Sequence, residues 1–305
     1  MNIGSLLPRH ARYRADHLAF VVGEERLNFS ELNSRVNRLA NALLASGIRK
    51  GQKMATVLPN CEELMLLYWA AAKTGIVIVP GSPLLQESGL ITLLRDSDTV
   101  IVFADAEFAD TLDKIKNDLP EIQNGYWIIR GESIIASGFT AYLDFISESS
   151  IDEPPDAELT DDDVYNIMYS SGTTGAPKGI VHTHYVRANY CTHFASAWRM
   201  TPESIVLHAG AIVFNGAMLD LMPWMFLGAT YILHHYFDAG AVLHAIIKEK
   251  VTHMVMVPSQ IIALLNHPDF EPEKLRSLEM LQNVGAPLLL KYKHKLIEIL
   301  PGIYN

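Results

Sequence analysis

The chain has 305 residues, 49% of them hydrophobic, with 24 Lys and Arg against 34 Asp and Glu and a formal net charge of −10. That length and apolar share can build one large domain or two smaller ones. The acidic balance excludes a nucleic-acid surface, which needs a basic face, but not phosphate recognition, because one local lysine can serve an anion inside an acidic protein.

The N-terminal stretch has no long apolar segment followed by a small-residue cleavage site, so no secretory signal is read. Cys61 and Cys191 are the only cysteines. They are read as two free thiols of a cytoplasmic enzyme. The patterns at 18–22 and 25–28 predict a hairpin turning near Gly23. Asn28 and Glu31 have capping-box spacing, Leu32, Val36, Leu39 and Leu43 recur at helical spacing, and Gly47 ends that helix. A strand at 54–58, a helix at 62–73 capped by Asn60 and closed by Gly75, and a strand at 76–79 follow. Helical segments at 90–94 and 108–115 then alternate with strands at 99–103 and 126–129. Such alternation predicts an α/β fold with a largely parallel sheet covered on both faces.

Residues 147–163 carry eight carboxylates, the pair Pro154-Pro155 and no basic residue. Lacking metal-ligand geometry, this reads as a solvated connector. The apolar run 164–169 leads from it into Ser170–Gly179, SSGTTGAPKG. Glycines let backbone N–H groups approach an anion, hydroxyls donate further bonds, and lysine adds a point charge. The spacing is neither Walker A nor Gly-x-Gly-x-x-Gly.

Beyond the loop, a second series is expected: helix 184–198, strand 205–208, helix 214–227, strand 229–233, helix 241–250 and strand 253–257. Pro258 opens another helix at its favoured position. Strand 278–284 and helix 288–299 close the series, so two stacked α/β subdomains are predicted, approximately 1–183 and 184–305. Ile205–Leu233 holds a single formal charge, Asp220, but polar residues, Pro223 and glycines interrupt it, favouring a buried helix between buried strands over a membrane span. His182 and His184 would share a strand face as a metal pair, but no third ligand stands out, so both read as loop-edge residues. His234 and His235 read as structural. Met218, Met222 and Met225 at helical spacing read as core or as the wall of an apolar pocket. Gly285-Ala286-Pro287 after an apolar strand is either a plain turn or a bare platform for a flat ring.

The segment YSSGTTGAPKG resembles the phosphate-binding signature of the acyl-adenylate-forming (AMP-binding) superfamily: acyl- and aryl-CoA ligases, peptide-synthetase adenylation domains and luciferases. Leu27–Leu32, Ala71–Gly75 with Val79-Pro80, Val257-Pro258-Ser259 and Val284–Leu288 are similar to further family segments, so the resemblance spans the chain. It implies an acyl-CoA synthetase N-terminal domain with ATP, Mg²⁺ and CoA as cofactors or co-substrates, a small carboxylic acid as substrate, and a homodimer left open. It implies phosphate contacts from Ser170, Ser171, Gly172, Thr173, Thr174, Gly175 and Lys178, with Thr173 and Lys178 as the catalytic pair. Thr173 or Thr174 would meet Mg²⁺ together with a downstream glutamate. Gly285, Ala286 and Pro287 would border adenine. Val213, Phe214, Asn215, Met218 and Val284 would line the acyl pocket.

Two departures bear on the substrate. Ile212 and Val213 stand where many acyl-CoA ligases have Phe-His, so a polar group there is lost or supplied by Asn215 or His208. Asn215 stands where peptide-synthetase domains place an aspartate for the α-amino group, and a neutral amide is a weak partner for a buried ammonium. A simple carboxylic acid is therefore expected, and the uncharged, methionine-bearing helix favours a fatty or other apolar one. The sequence stops before the family's Tyr-Gly-x-Thr-Glu motif and C-terminal lid domain, and so reads as the N-terminal portion, inactive alone. The alternatives are a module loading a carrier protein and a non-catalytic nucleotide-binding fragment.

Overall fold

The computed structural model describes residues 1–131, 137–170 and 177–303. The chain begins with helix α1 (Leu6–Tyr13), strands β1 (Leu18–Val22) and β2 (Glu25–Asn28), and helix α2 (Phe29–Ala45). Strict alternation follows through β3 (Lys53–Val57), α3 (Glu62–Thr74), β4 (Val77–Gly81), α4 (Glu87–Asp96), β5 (Thr99–Asp105) and α5 (Ala109–Ile115). Next come β6 (Trp127–Arg130), β7 (Phe139–Ala141), α6 (Tyr142–Ile146), β8 (Val164–Ser170), β9 (Lys178–Thr183) and α7 (His184–Ala197). The last series is β10 (Ile205–His208), α8 (Met218–Leu227), β11 (Thr230–Leu233), α9 (Ala239–Glu249), β12 (His253–Met256), α10 (Pro258–Leu265), β13 (Met280–Asn283) and α11 (Leu290–Ile299).

Two compact units result. Unit 1 comprises Met1–Arg9 and Glu31–Ala188; unit 2 comprises His10–Ser30 and Asn189–Asn305. Unit 1 holds a seven-stranded sheet in the order β7-β6-β5-β3-β4-β8-β9, parallel except for the β8–β9 pair. Unit 2 holds a six-stranded sheet in the order β13-β12-β10-β11-β1-β2, parallel from β13 to β1. The N-terminal hairpin is thus an edge of the second sheet, with Phe20 opposite Tyr231 and Val21 opposite Ile232. Ala19, Phe20, Val21 and Val22 are all buried. A strand apolar on both faces needs cover on both faces, which membership of a parallel sheet supplies. β2 keeps its exposed Glu25 and Arg26 at the sheet margin.

Helix ends follow local chemistry. α3 stops at Gly75, left-handed at φ 71°, and α8 at Gly228, φ 73°. A β-carbon on Gly228 would fall 2.5 Å from the His10 ring, so close packing as well as conformation demands glycine there. Pro258 occupies the first turn of α10. The expected Asn60 cap differs: Cys61 is the N-cap of α3 and makes no side-chain cap hydrogen bond. Cys61 and Cys191 are free and buried.

The stretch 205–233 folds as short buried strands around the ten-residue helix α8. Among the described residues no helix is long and apolar enough to cross a membrane.

The acidic connector is pinned rather than loose. Lys73, its side chain 3% exposed, places Nζ 2.7 Å from Glu153 Oε2. The same ammonium donates to Asn33 Oδ1 at 2.7 Å and Asn37 Oδ1 at 2.6 Å. Lys50 pairs with Asp163 at 2.9 Å just before β8. The connector's missing positive charge therefore comes from the body of unit 1.

Candidate functional site

In unit 1 the glycine-rich loop is framed by the β8–β9 hairpin. Ser170 and Lys178 are directly paired across the ladder, as are Tyr169 with Gly179 and Asn166 with His182. β8 runs parallel to β4, so the loop leaves from the carboxyl ends of the parallel strands, where open α/β sheets receive ligands. Ser170 and Lys178 are exposed. Ser171, Gly172, Thr173, Thr174 and Gly175 lie outside the described residues.

Gly179, the last residue of the signature, has a packing role the sequence did not disclose. A β-carbon there would lie 2.9 Å from Ile167 Cγ2 and 3.1 Å from the Tyr169 ring. Tyr169 in turn donates its hydroxyl to Asp96 Oδ2 at 2.6 Å. Burial, then that carboxylate, push the phenol's pKa up, so it stays a donor at neutral pH.

Behind the hairpin, Arg187 is buried and its Nε donates to Asn166 Oδ1 at 3.0 Å. His182 lies near the end of β9, and burial, then the Arg187 charge, push its pKa down to about 4. His184 begins α7 rather than continuing the strand, and burial brings it to about 4 as well. Both imidazoles are therefore neutral at pH 7. Among the described residues no three His, Cys, Asp or Glu side chains converge on a metal position, so the histidine-pair reading finds no third ligand.

In unit 2 the carboxyl ends of β10, β12 and β13 gather the other sequence-singled residues. Asn283 Nδ2 donates to Ala286 O at 2.8 Å, closing a turn in which Gly285, Ala286 and Pro287 are exposed. Gly285 is left-handed at φ 82°, and a β-carbon there would lie 3.4 Å from Val257 Cγ1. One on Gly216 would lie 3.8 Å from Val284 Cγ2, which brings the segment before α8 beside this turn.

Val213 is buried and Phe214 is 49% exposed. Asn215 opens a 3₁₀ turn before α8. Its Nδ2 donates to Tyr190 Oη at 3.5 Å, while its Oδ1 is buried with no partner among the described residues. Met218, Met222 and Met225 are fully buried, so the stripe fills core.

A polar array unanticipated as a unit lies at the same edge. His208 ends β10, and its Nδ1 is 2.8 Å from Asp220 Oδ2; Tyr231 donates to Asp220 Oδ1 at 3.0 Å. All three are buried. The lone charge within 205–233 was the available signal, but its partners sit 12 and 11 residues away on two different strands.

The sequence matches the family model described as AMP-binding enzyme over residues 7–305. The chain belongs to the AMP-binding enzyme family. A feruloyl-CoA synthase of Amycolatopsis is 32% identical over 289 residues, covering 94% of this chain and 55% of the relative. The long-chain-fatty-acid–CoA ligase FadD13 of Mycobacterium tuberculosis is 30% identical over 308 residues, covering 99% of this chain and 59% of the relative. An inhibitor-bound crystal structure of the N-terminal domain of FACL13 from Mycobacterium tuberculosis superposes with a TM-score of 0.86 at 27% identity, covering 98% of this chain and 72% of that one. The chain therefore spans a little over half the length of these curated relatives. The AMP-binding fold, two α/β sheets flanked by helices, is as the sequence resemblance implied.

Proposed function

We propose that the chain forms the nucleotide- and acid-binding portion of an ATP-dependent carboxylate–CoA ligase. The observation that carries the reading is the β8–β9 hairpin, which sets Ser170 opposite Lys178 at the two ends of the glycine-rich loop within a chain of AMP-binding family. In the proposed reaction a carboxylate oxygen attacks the α-phosphorus of ATP. An acyl–O–P bond forms, the α–β phosphoanhydride breaks, and pyrophosphate leaves. A CoA thiol then attacks the acyl carbon, loses its proton, and displaces AMP.

The protein's share is positioning and charge stabilisation. Ser170, Ser171, Gly172, Thr173, Thr174 and Gly175 donate to the phosphates, and Lys178 balances the charge growing on pyrophosphate. Gly285, Ala286 and Pro287 offer a surface bare enough for the adenine ring. Val213, Phe214, Asn215 and Val284 border the acyl group, with Met218 as packing behind them. A Mg²⁺ ion accompanying the phosphates would screen their charge. Thr173 or Thr174 would be among its ligands; among the described residues no group of three His, Cys, Asp or Glu side chains is placed to hold a metal ion.

The substrate is assigned as an apolar carboxylic acid, fatty or aryl. Asn215 is neutral where an amino-acid substrate would call for a carboxylate, and relatives are named for feruloyl and long-chain fatty acyl groups. A cytoplasmic enzyme accords with the two free thiols. The test is Lys178→Ala in the full-length enzyme. Acid-dependent pyrophosphate exchange should fall by about 10²-fold or more, the scale of losing one charge-stabilising donor, while the fold is unchanged. Wild-type exchange would remove Lys178 from this role.

A further inference from the structure

A cleft of about 550 Å³ opens in unit 2, apart from every residue assigned above. Its position follows from the topology. β11 leaves through α9 to β12, on the far side of β10, whereas β1 turns away into β2 at the sheet edge. Between adjacent strands β1 and β11 the two connections diverge, which is where an open α/β sheet forms a crevice beyond its carboxyl ends. The volume lies within the range of small-molecule sites.

The lining explains why the crevice stays open. Val21, Ile232 and Leu233 make an apolar floor. α9 turns Gly240, Ala241 and Ala245 toward it, side chains too small to fill the gap. At the rim stand His235, His244 and Lys248, the last two one helical turn apart and exposed. The two acidic groups are already engaged. Asp238 Oδ1 accepts the Ala241 N–H at 2.7 Å, and Arg26 grips both oxygens of Glu249 at 3.0 Å. Lys248 Nζ also lies 3.6 Å from Glu249 Oε1, so an incoming anion meets Arg26, Lys248 and two imidazoles around that carboxylate, above a floor suited to a flat apolar body.

We propose that this cleft is a second small-molecule site, taking a phosphate monoester with a flat apolar body: the phosphate at His235, His244 and Lys248, the body on Val21, Ile232 and Leu233. Lysine and imidazole N–H groups are strong partners for a dianionic phosphate, and the small-residue face of α9 lets a planar group slide between helix and hairpin.

The probe is 1-naphthyl phosphate, titrated into the chain by calorimetry, with histidine NMR signals followed in parallel. One saturable site should appear, with His235 and His244 signals moving. Affinity should fall at least about tenfold in the H244A/K248A double variant and be abolished by Ala241→Glu, an exposed position where a carboxylate repels phosphate without disturbing the fold. Binding should survive Lys178→Ala, which separates the cleft from the glycine-rich loop. Urea midpoints equal to wild type confirm that the variants are folded. The proposal is overturned if no saturable binding occurs, if 1-naphthol binds as well as its phosphate, or if Lys178→Ala loses binding that H244A/K248A keeps.

Discussion

Replacing Glu153 by Gln should destabilise unit 1 in a pH-dependent way, and the structure gives both size and sign. Glu153 is the only carboxylate hydrogen-bonded to the buried Lys73 ammonium among the described residues, the other acceptors being the amide oxygens of Asn33 and Asn37. Burial pushes the Lys73 pKa down from its ordinary 10.5 to about 8, against the opposing pull of Glu153. That drop corresponds to about 3 kcal/mol of strain on the charged form at neutral pH. Breaking a fully buried pair costs roughly 3–5 kcal/mol, but Glu153 is 48% exposed, so solvent screening reduces the expected loss to about 1–3 kcal/mol.

The folded pKa of Lys73 lies below its unfolded value. Between about 8 and 10.5 the unfolded chain holds the proton that the folded chain has shed, so stability rises with pH through that window. For Glu153, burial would raise the pKa, but hydrogen bonds from Asn33, Lys73 and Asn37 outweigh it and hold it low. Its contribution is thus present above the ordinary carboxylate range and lost on acidification through the lowered value. Urea unfolding followed by tryptophan fluorescence at pH 7 and pH 9.5 tests this. The deficit of Glu153→Gln should be clear at pH 7 and should shrink at pH 9.5, where Lys73 is largely neutral. An equal deficit at both pH values, or none at pH 7, would refute the reasoning.

Three further outcomes are expected. Asp220→Ala leaves His208 Nδ1 and Tyr231 Oη buried without their shared acceptor, and should cost about 2–4 kcal/mol in unfolding free energy; a loss under 1 kcal/mol would mean water takes over the acceptor role. Gly179→Ala should lower stability by about 1–3 kcal/mol through overpacking against Ile167 and Tyr169, and the double variant with Tyr169→Ala should recover part of that loss in the same melt. Gly228→Ala meets both a left-handed backbone and the His10 ring, so its thermal midpoint should drop further than that of Gly51→Ala, left-handed at φ 84° but with open space around it.

Much of the fold was written locally. Alternating apolar runs gave the order of strands and helices, and Gly75 and Pro258 marked boundaries where backbone conformation and a missing N–H decide them. Pairing was less legible. Val21 meets Ile232 only because an apolar strand near the N-terminus needs a neighbour, and nothing within 18–28 names a partner some two hundred residues away. β7 and α6 are three and five residues long, too short for a periodic signal.

At the candidate site, the glycine-rich loop stood out in the sequence because its residue types suit an anion. The His208–Asp220–Tyr231 array was not, since it exists only once β10, α8 and β11 pack. Gly179 closes the glycine-rich stretch in the sequence, yet the neighbours that require its missing side chain are Ile167 and Tyr169 on β8, the latter opposite it in the ladder.

The most direct test of the central claim is ATP–pyrophosphate exchange by the full-length protein containing this chain, run against a panel of fatty, aryl and amino acids without CoA. The account predicts exchange that depends on an apolar carboxylic acid, with AMP and a thioester appearing once CoA is added. Exchange indifferent to the acid, or turnover releasing ADP, would contradict it.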